Sequence, residues 1–330
     1  MAVKATDVAA RAGVSIATVS LVVNGKGAGR VSADTRSRVE QAVRELGYVV
    51  NPAARSLVTG THGRIALLTD DLVNPFIAAI ASGVGAALGR DTALLLATGV
   101  RADPAALTSV GVDGMLVHRA GPAGPATGGG PVPVVVLDEP GVAGGPTGVH
   151  FDVTRGATAL GTHLASLGHR RVAYVDSART RTSFTRRREV FTAAFGGAVS
   201  VVSCGLDLAL ARDLTTDALA GWCRAGITAV VAATDVQAYG VLAALTHAGV
   251  AVPQNFSVAS FDDNDLSSIT APPLTTVAMD AVELGRRAVA LLLEEVRGAA
   301  PAGRTVTLPS SLVIRSSTGV PREDPPCPAP

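Results

Sequence analysis

Aromatic side chains are scarce in this sequence, 3% of the chain with one tryptophan, and the only lysines are Lys4 and Lys26. Three cysteines, Cys204, Cys223 and Cys327, cannot all pair with one another and show no CxxC spacing. That excludes a disulfide framework and a cysteine-built metal site. No apolar run approaches the roughly 18 residues of a membrane helix. The opening MAVKATDVAARAGVS carries Asp7 and Arg11 where a secretory signal would be continuously apolar. A cytoplasmic protein with no membrane attachment is expected. The usual signatures of catalysis are missing as well. The histidines, His62, His118, His150, His163, His169 and His247, form no HxxH or HxxxH pair. There is no GxSxG elbow and no GxxxxGK[ST] phosphate loop; GKGAG at 25–29 follows a helical pattern and reads as a turn, and SGVGAALG at 82–89 lacks dinucleotide spacing. Asp262 and Asp263 are adjacent carboxylates with no accompanying nucleophile. No enzyme activity, cofactor or metal is expected.

What is present divides unevenly along the 330 residues. Residues 1–60 hold eight basic and four acidic side chains, a net +4, so the remainder of a chain of net charge +1 must sum to −3. A small basic unit on a larger, slightly acidic body suggests a polyanion-binding head. Its local pattern is helical. Thr6 is placed to cap a first helix containing Val8, Ala9 and Ala12, which Gly13 stops. Ser15 caps a second over 16–24, with Val19, Val22 and Val23 as an inward stripe before Asn24-Gly25. Ser32 caps a third, with Val39, Val43 and Leu46 facing the first two and Gly47 ending it. Two helices joined by a tight glycine-containing turn and covered by a third make a helix-turn-helix unit.

From Thr6 to Leu57 the stretch TDVAARAGVSIATVSLVVNGKGAGRVSADTRSRVEQAVRELGYVVNPAARSL resembles the DNA-binding head of the LacI/GalR family of bacterial transcription regulators. The resemblance implies that the second helix enters the major groove, with Ile16, Ala17 and Leu21 as base-reading positions. Leu21 departs from the arginine that family members usually carry there, which can make a bidentate contact to guanine; apolar readers instead meet thymine methyls. Thr6, Ser15, Thr18 and Ser20 are candidate phosphate contacts, since hydroxyls and helix N-termini fix register without reading sequence. For Ser15 a plain capping role is equally compatible. Asn24, Asn51, Ala54 and Arg55 complete the DNA-facing set. Asn51 to Leu57 resembles the family's hinge helix, too short to be stable alone; in the family it pairs with its copy in the minor groove, and Leu57 matches the leucine wedged between base pairs. The alternative for this segment is a flexible linker.

Beyond residue 64 short β-rich runs alternate with amphipathic segments, as in a parallel α/β fold. Candidate strands are 64–69, 93–97, 115–118, 133–138, 171–175, 199–203, 228–233 and 256–261. Two open sheets of this length make two subdomains, with ligands expected at the carboxyl ends of strands. The same order is similar to the periplasmic-binding-protein-like body that the family carries after its hinge. That resemblance implies a cleft lined by Asp70, Asp71, Asn74, Phe76, Asp138, Arg187, Thr234, Asp235, Phe261, Asp262 and Asp263. Carboxylates, an amide and a guanidinium suit a polyhydroxylated effector, because each hydroxyl taken from water needs a new partner. For Asp70 and Asp235, helix N-capping is the competing explanation. Leu206, where many sugar-binding members have an aromatic, and the short stretch 98–111 mark departures in this region.

The expected organisation is a head (1–50), a hinge helix and linker (51–61), an effector-binding and dimerisation body (62–318) and a disordered tail (319–330). The chain is expected to cross between subdomains near 153–156, 262–266 and 298–304. Five prolines in the last twelve residues exclude a leucine-zipper tetramerisation helix, so a homodimer is expected. The expected function is a repressor that binds a pseudo-palindromic double-stranded operator under control of a small-molecule effector, a sugar or related metabolite. The rival is a solute-binding protein that delivers a sugar to a transporter.

Overall fold

In the computed structural model, residues 3–49, 60–99, 104–118, 132–139, 145–179 and 181–322 are described. The chain divides into two compact units, Met1–Gly63 and Arg64–Pro330.

The first unit has three helices, α1 (Ala5–Ala12), α2 (Ile16–Val23) and α3 (Ala33–Leu46). None is long enough to persist alone, and they are held by a shared core of Val8, Ala9, Ala12, Val19, Val39 and Ala42. Val22, Val23, Val43 and Leu46 are only partly buried against it. The first helix begins earlier than its sequence suggests. Asp7 accepts a hydrogen bond from the Lys4 backbone N–H at 2.8 Å, the reach-back half of a capping box. Thr6 is thereby left exposed within the first turn and caps nothing. Ser15 and Ser32 do cap, accepting from the backbone N–H of Thr18 (3.1 Å) and Thr35 (3.2 Å). Gly13 and Gly47 close α1 and α3 at φ of 66° and 63°, left-handed values that a side chain would resist.

The second unit is built on two six-stranded sheets. The first-lobe sheet contains β1 (Arg64–Thr69), β2 (Ala93–Thr98), β3 (Gly114–His118), β4 (Val134–Leu137), β5 (Thr147–Asp152) and β11 (Thr305–Pro309), in the order β11-β5-β4-β3-β1-β2 with every pair parallel. The second-lobe sheet contains β6 (Arg171–Ser177), β7 (Ala198–Cys204), β8 (Ala229–Ala232), β9 (Ser257–Asp262), β10 (Thr275–Ala278) and β12 (Ser311–Val313), in the order β12-β10-β9-β8-β6-β7. Only the β10–β12 pair is antiparallel. The central strands are buried on both faces, as parallel sheets require. Four strands escape sequence patterning: Thr, Ser and Gly interrupt the apolar character of β5, β10, β11 and β12, and β10 and β12 are only four and three residues long.

Helices α4 (Pro75–Ala87), α5 (Pro104–Val110), α6 (Val153–Ser166), α7 (Thr182–Phe195), α8 (Leu208–Arg224), α9 (Asp235–His247) and α10 (Ala281–Val296) cover the sheets. With seven residues and none buried, α5 is the shortened element that the stretch 98–111 foreshadows. The chain changes lobe at Asp152–Val153, where β5 runs into α6 and α6 packs on α7. The other two crossings correct the sequence expectation. Residues 262–266 stay in the second lobe, because β10 continues that sheet by pairing with β9; the chain leaves only at Met279–Asp280, before α10 packs on α4. The last crossing falls at Ser310, between β11 and β12, rather than at 298–304. The expected tail also starts too early. Gly319 is tied to the second lobe, its N–H donating to Ser257 Oγ at 3.0 Å and its carbonyl 3.0 Å from His169 Nε2. Among the described residues no single helix is long and apolar enough to cross a membrane.

Candidate functional site

In the head, α2 carries no charged residue. Its outer side presents Ser15, Ile16, Ala17, Ser20 and Asn24, with Thr18 and Leu21 partly buried. Ile16 is 51% exposed, an apolar side chain held on the outside by a helix whose other side is committed to the core. The polar groups beside it are pre-positioned: Ser15 Oγ lies 2.9 Å from Thr18 Oγ1, and Asn24 Nδ2 donates to the Ser20 carbonyl (2.8 Å) and Oγ (3.2 Å). Uncharged hydrogen-bonding groups around an apolar projection can meet base edges and phosphates of a duplex. Asn51, Ala54, Arg55 and Leu57 lie outside the described residues.

In the body, the sequence-derived cleft residues separate into three groups. Asp138, Arg187 and Asp262 form a buried knot. Arg187, on α7 and only 1% exposed, is 3.6 Å from Asp138 Oδ2 and 3.3 Å from Asp262 Oδ1, and donates to the Ala233 carbonyl at 3.0 Å. Its guanidinium lies over the rings of Phe184 and Phe261, 5.0 and 5.5 Å from their centroids, so Phe261 is a floor for the knot. Burial pushes the Asp262 carboxyl well above the usual carboxylate range, and Arg187 opposes that shift. Asp262 Oδ2 and Arg187 Nε make no hydrogen bond within the chain. Asp138, Asp262 and Asp263 have φ of 53°, 119° and 61°. Left-handed backbone at three non-glycine residues on strand ends is strain of the kind that gathers at binding sites.

Asp70, Asp71 and Asn74 form the second group, at the end of β1. Together with Thr69, His118, Arg179, Arg181 and Leu206 they line a space of about 20 Å³ between the lobes. Asn74 caps α4 by accepting from the Phe76 N–H at 3.0 Å, and Asp71 accepts from the Val73 N–H at 2.8 Å. Phe76 lies between His118 and Phe151, tilted 52° and 56° to their rings, and lines a larger cavity of about 610 Å³ with Asp262 and Asp263. Asp263 is paired with Arg315 at 2.6 Å.

Thr234 and Asp235, the third group, do not reach the cleft. Thr234 caps α9. Asp235 is 0% exposed, and both its oxygens are used internally: Oδ1 accepts from Ser260 Oγ and Thr276 Oγ1, Oδ2 from Ser267 Oγ and the Asn264 N–H. It anchors β10 and the 264–267 turn, which neither helix capping nor effector contact describes. Burial pushes its pKa up and the four donors pull it back.

Four residues that sequence reading missed take prominent places. His118 ends β3 beside the end of β1, where the first lobe's strand order reverses and ligands bind in open α/β sheets; that position is the signal that could have found it. Burial, helped by Arg181, holds its pKa well below the usual histidine value. Arg181 crosses to Glu139, with Nε 3.0 Å from Oε1. Ser183, 97% buried, has no hydrogen bond for its Oγ within the chain and lines a cavity of about 170 Å³ with Asp138, His150 and Arg186. Among the described residues no group of three or more His, Cys, Asp or Glu could hold a metal.

Residues 5–51 match the family described as bacterial regulatory proteins, lacI family, and residues 162–318 match a periplasmic binding protein-like domain. The HTH-type transcriptional regulator MalR of Streptomyces coelicolor (strain ATCC BAA-471 / A3(2) / M145) is 33% identical, over 96% of this chain and 97% of its own length. The chain belongs to the lacI family of bacterial regulatory proteins. Its fold is that of solved family members. The Lac repressor dimer bound to operator and the anti-inducer ONPF superposes with a TM-score of 0.77 at 28% identity, covering 97% of this chain and 100% of that one. The transcriptional regulator CelR in complex with cellobiose gives 0.63 at 28% identity, covering 96% and 99%. As a lacI-family protein the chain is a DNA-binding transcription regulator rather than an enzyme. The DNA-binding head also sets aside delivery of a solute to a transporter, for which such a head has no use.

Proposed function

We propose that the protein is a cytoplasmic repressor that binds a pseudo-palindromic operator as a homodimer and responds to a small polyhydroxylated effector held between its two lobes. The observation that carries this reading is the pairing of a helix-turn-helix head, whose uncharged α2 exposes Ile16 among hydroxyls and an amide, with a cleft of converging carboxylates and guanidinium groups. Operator binding by the Lac repressor dimer and cellobiose binding by CelR support it. In this reading Ile16, Ala17 and Leu21 read bases, while Ser15, Thr18, Ser20, Asn24 and Thr6 hold the phosphate backbone. Asn51, Ala54 and Arg55 position the hinge segment, and Leu57 is the wedge. Asp70, Asp71, Asn74, Asp138, Arg187 and Asp262 contact the effector, with Phe76 and Asp263 at the margin. An effector that fits one degree of lobe closure better than another changes operator affinity by that difference.

The test is selection of bound duplexes from a randomised pool by the full-length protein, followed by mobility-shift titration. A two-fold-related consensus and an affinity that falls linearly with the logarithm of salt concentration are expected. Recovery of unrelated sequences, bound no more tightly than the starting pool, refutes the reading. Thermal-shift titration with cellobiose, ribose and their phosphates then addresses the effector, since a ligand of the native state raises stability by about 2.7 kcal/mol at a hundredfold excess over Kd.

A further inference from the structure

Three arginines of one short stretch of the second lobe each end on a carboxylate of the first. Arg179 Nη1 lies 3.6 Å from Asp70 Oδ2, Arg181 Nε 3.0 Å from Glu139 Oε1, and Arg187 Nη2 3.6 Å from Asp138 Oδ2. In these three pairs every cation comes from the second lobe and every anion from the first, and Arg187 alone of the three also pairs within its own lobe, with Asp262 at 3.3 Å. Arg181 reaches furthest across. Its Nη1 donates to His118 Nε2 at 2.9 Å, and its Nη2 faces the carbonyls of Leu137 and Asp138 at 3.4 Å. Its side chain is buried, and the space beside it, about 20 Å³, has room for about one water.

We propose that Arg181 is a built-in occupant of the effector cleft, bridging the lobes where an effector would sit and holding them closed without one. A planar guanidinium with donors in a fixed fork suits that role, because it satisfies a carboxylate, an imidazole nitrogen and two carbonyls of the opposite lobe at once. An effector enters by displacing that fork from Glu139 and His118. It must then offer oxygen acceptors in their place, because a buried guanidinium stripped of partners is strongly unfavourable. The residue therefore sets which effectors are admitted and makes the bridged form the resting state. This inference rests on the cleft being the effector site, as proposed above.

Arginine-selective labelling of the effector-free, full-length protein with p-hydroxyphenylglyoxal, read by peptide mass spectrometry, tests it. Exposed Arg90 and Arg224 should react first, with Arg181 and Arg187 at least about tenfold slower, as expected for groups that label only on opening. In Arg181→Ser, Arg187 should label at close to the exposed rate; in Arg181→Lys, which keeps the charge but loses the fork, it should fall between. If Arg181→Ser does not fold, Glu139→Gln should still speed labelling of Arg181. Two results overturn the proposal: Arg181 of the wild type reacting as fast as Arg90, or Arg187 staying protected in a folded Arg181→Ser protein. The measurement uses neither DNA nor effector, so its failure leaves the regulator reading standing, and failure of operator selection leaves the bridge standing.

Discussion

Arg187 joins two buried carboxylates from different lobes, and removing one member of such a group leaves the others uncompensated. Arg187→Met is expected to cost roughly 3–5 kcal/mol in urea unfolding near neutral pH. The loss should shrink on acidification, because Asp262, already raised by burial, can take a proton in place of its counter-ion. A loss that does not change with pH would mean Asp262 stays ionised without Arg187. His169 gives a second case in which the sign can be worked through. It is buried between Thr228 Oγ1 and Ser257 Oγ, and burial pushes its pKa down to about 4. The unfolded chain binds this proton below about pH 6.5, whereas the native protein resists until about 4. Stability should therefore fall as pH drops through that window, by roughly 3 kcal/mol in total from this residue. His169→Gln has no such proton to bind. Its melting temperature should lie below the wild type at neutral pH and approach it near pH 4.

Among the elements, two glycines set how closely α4 and α10 approach. A Cβ at Gly83 would lie 2.0 Å from the Val282 carbonyl oxygen, and one at Gly285 would lie 2.3 Å from that of Ile80. Backbone cannot yield as a side chain tip can, so Gly83→Ala should destabilise the body by about 3 kcal/mol through forced separation of the helices. Gly221, in α8, has open space where its Cβ would be. Gly221→Ala should stabilise by about 0.5–1 kcal/mol, in line with helix propensity. Thermal or urea unfolding of the two variants in parallel checks the contrast, and equal effects would remove the close-packing explanation. The head behaves differently because its elements are specified locally. Ser15, Ser32, Gly13 and Gly47 mark helix ends by their own chemistry, and the sequence shows them directly. Thr6 misled because the first helix is started by Asp7 reaching back to Lys4, a choice that two adjacent capping signals leave open.

Across the full chain, function depends on linking the operator-reading head to the lobed body through residues that include Leu57. If that leucine wedges into the duplex, Leu57→Ala should weaken the selected operator complex by about tenfold or more while leaving non-specific binding and its salt slope nearly unchanged. Mobility-shift titrations on operator and on unrelated DNA at several salt concentrations make the comparison. Equal loss on both would assign Leu57 an ordinary structural role.

The head, the two-sheet α/β body and the family are legible in the residues alone, because caps, turns and hydrophobic period act over a few positions and carry their own physical reason. Resemblance also marked the knot of Asp138, Arg187 and Asp262. Which polar groups face one another is settled only by folding. Thr234 and Asp235 look like cleft residues in the chain, yet four donors contributed by β9, β10 and the turn between them consume the Asp235 carboxylate. His118, Glu139 and Arg181 carry no distinguishing pattern in sequence, with Arg181 lying 42 positions from Glu139 and 63 from His118. They become a bridge only when two lobes built from interleaved segments close on each other. The crossings at Met279–Asp280 and Ser310 follow the same rule, since a short strand such as β10 is assigned to a sheet by its neighbour's backbone rather than by its own residues.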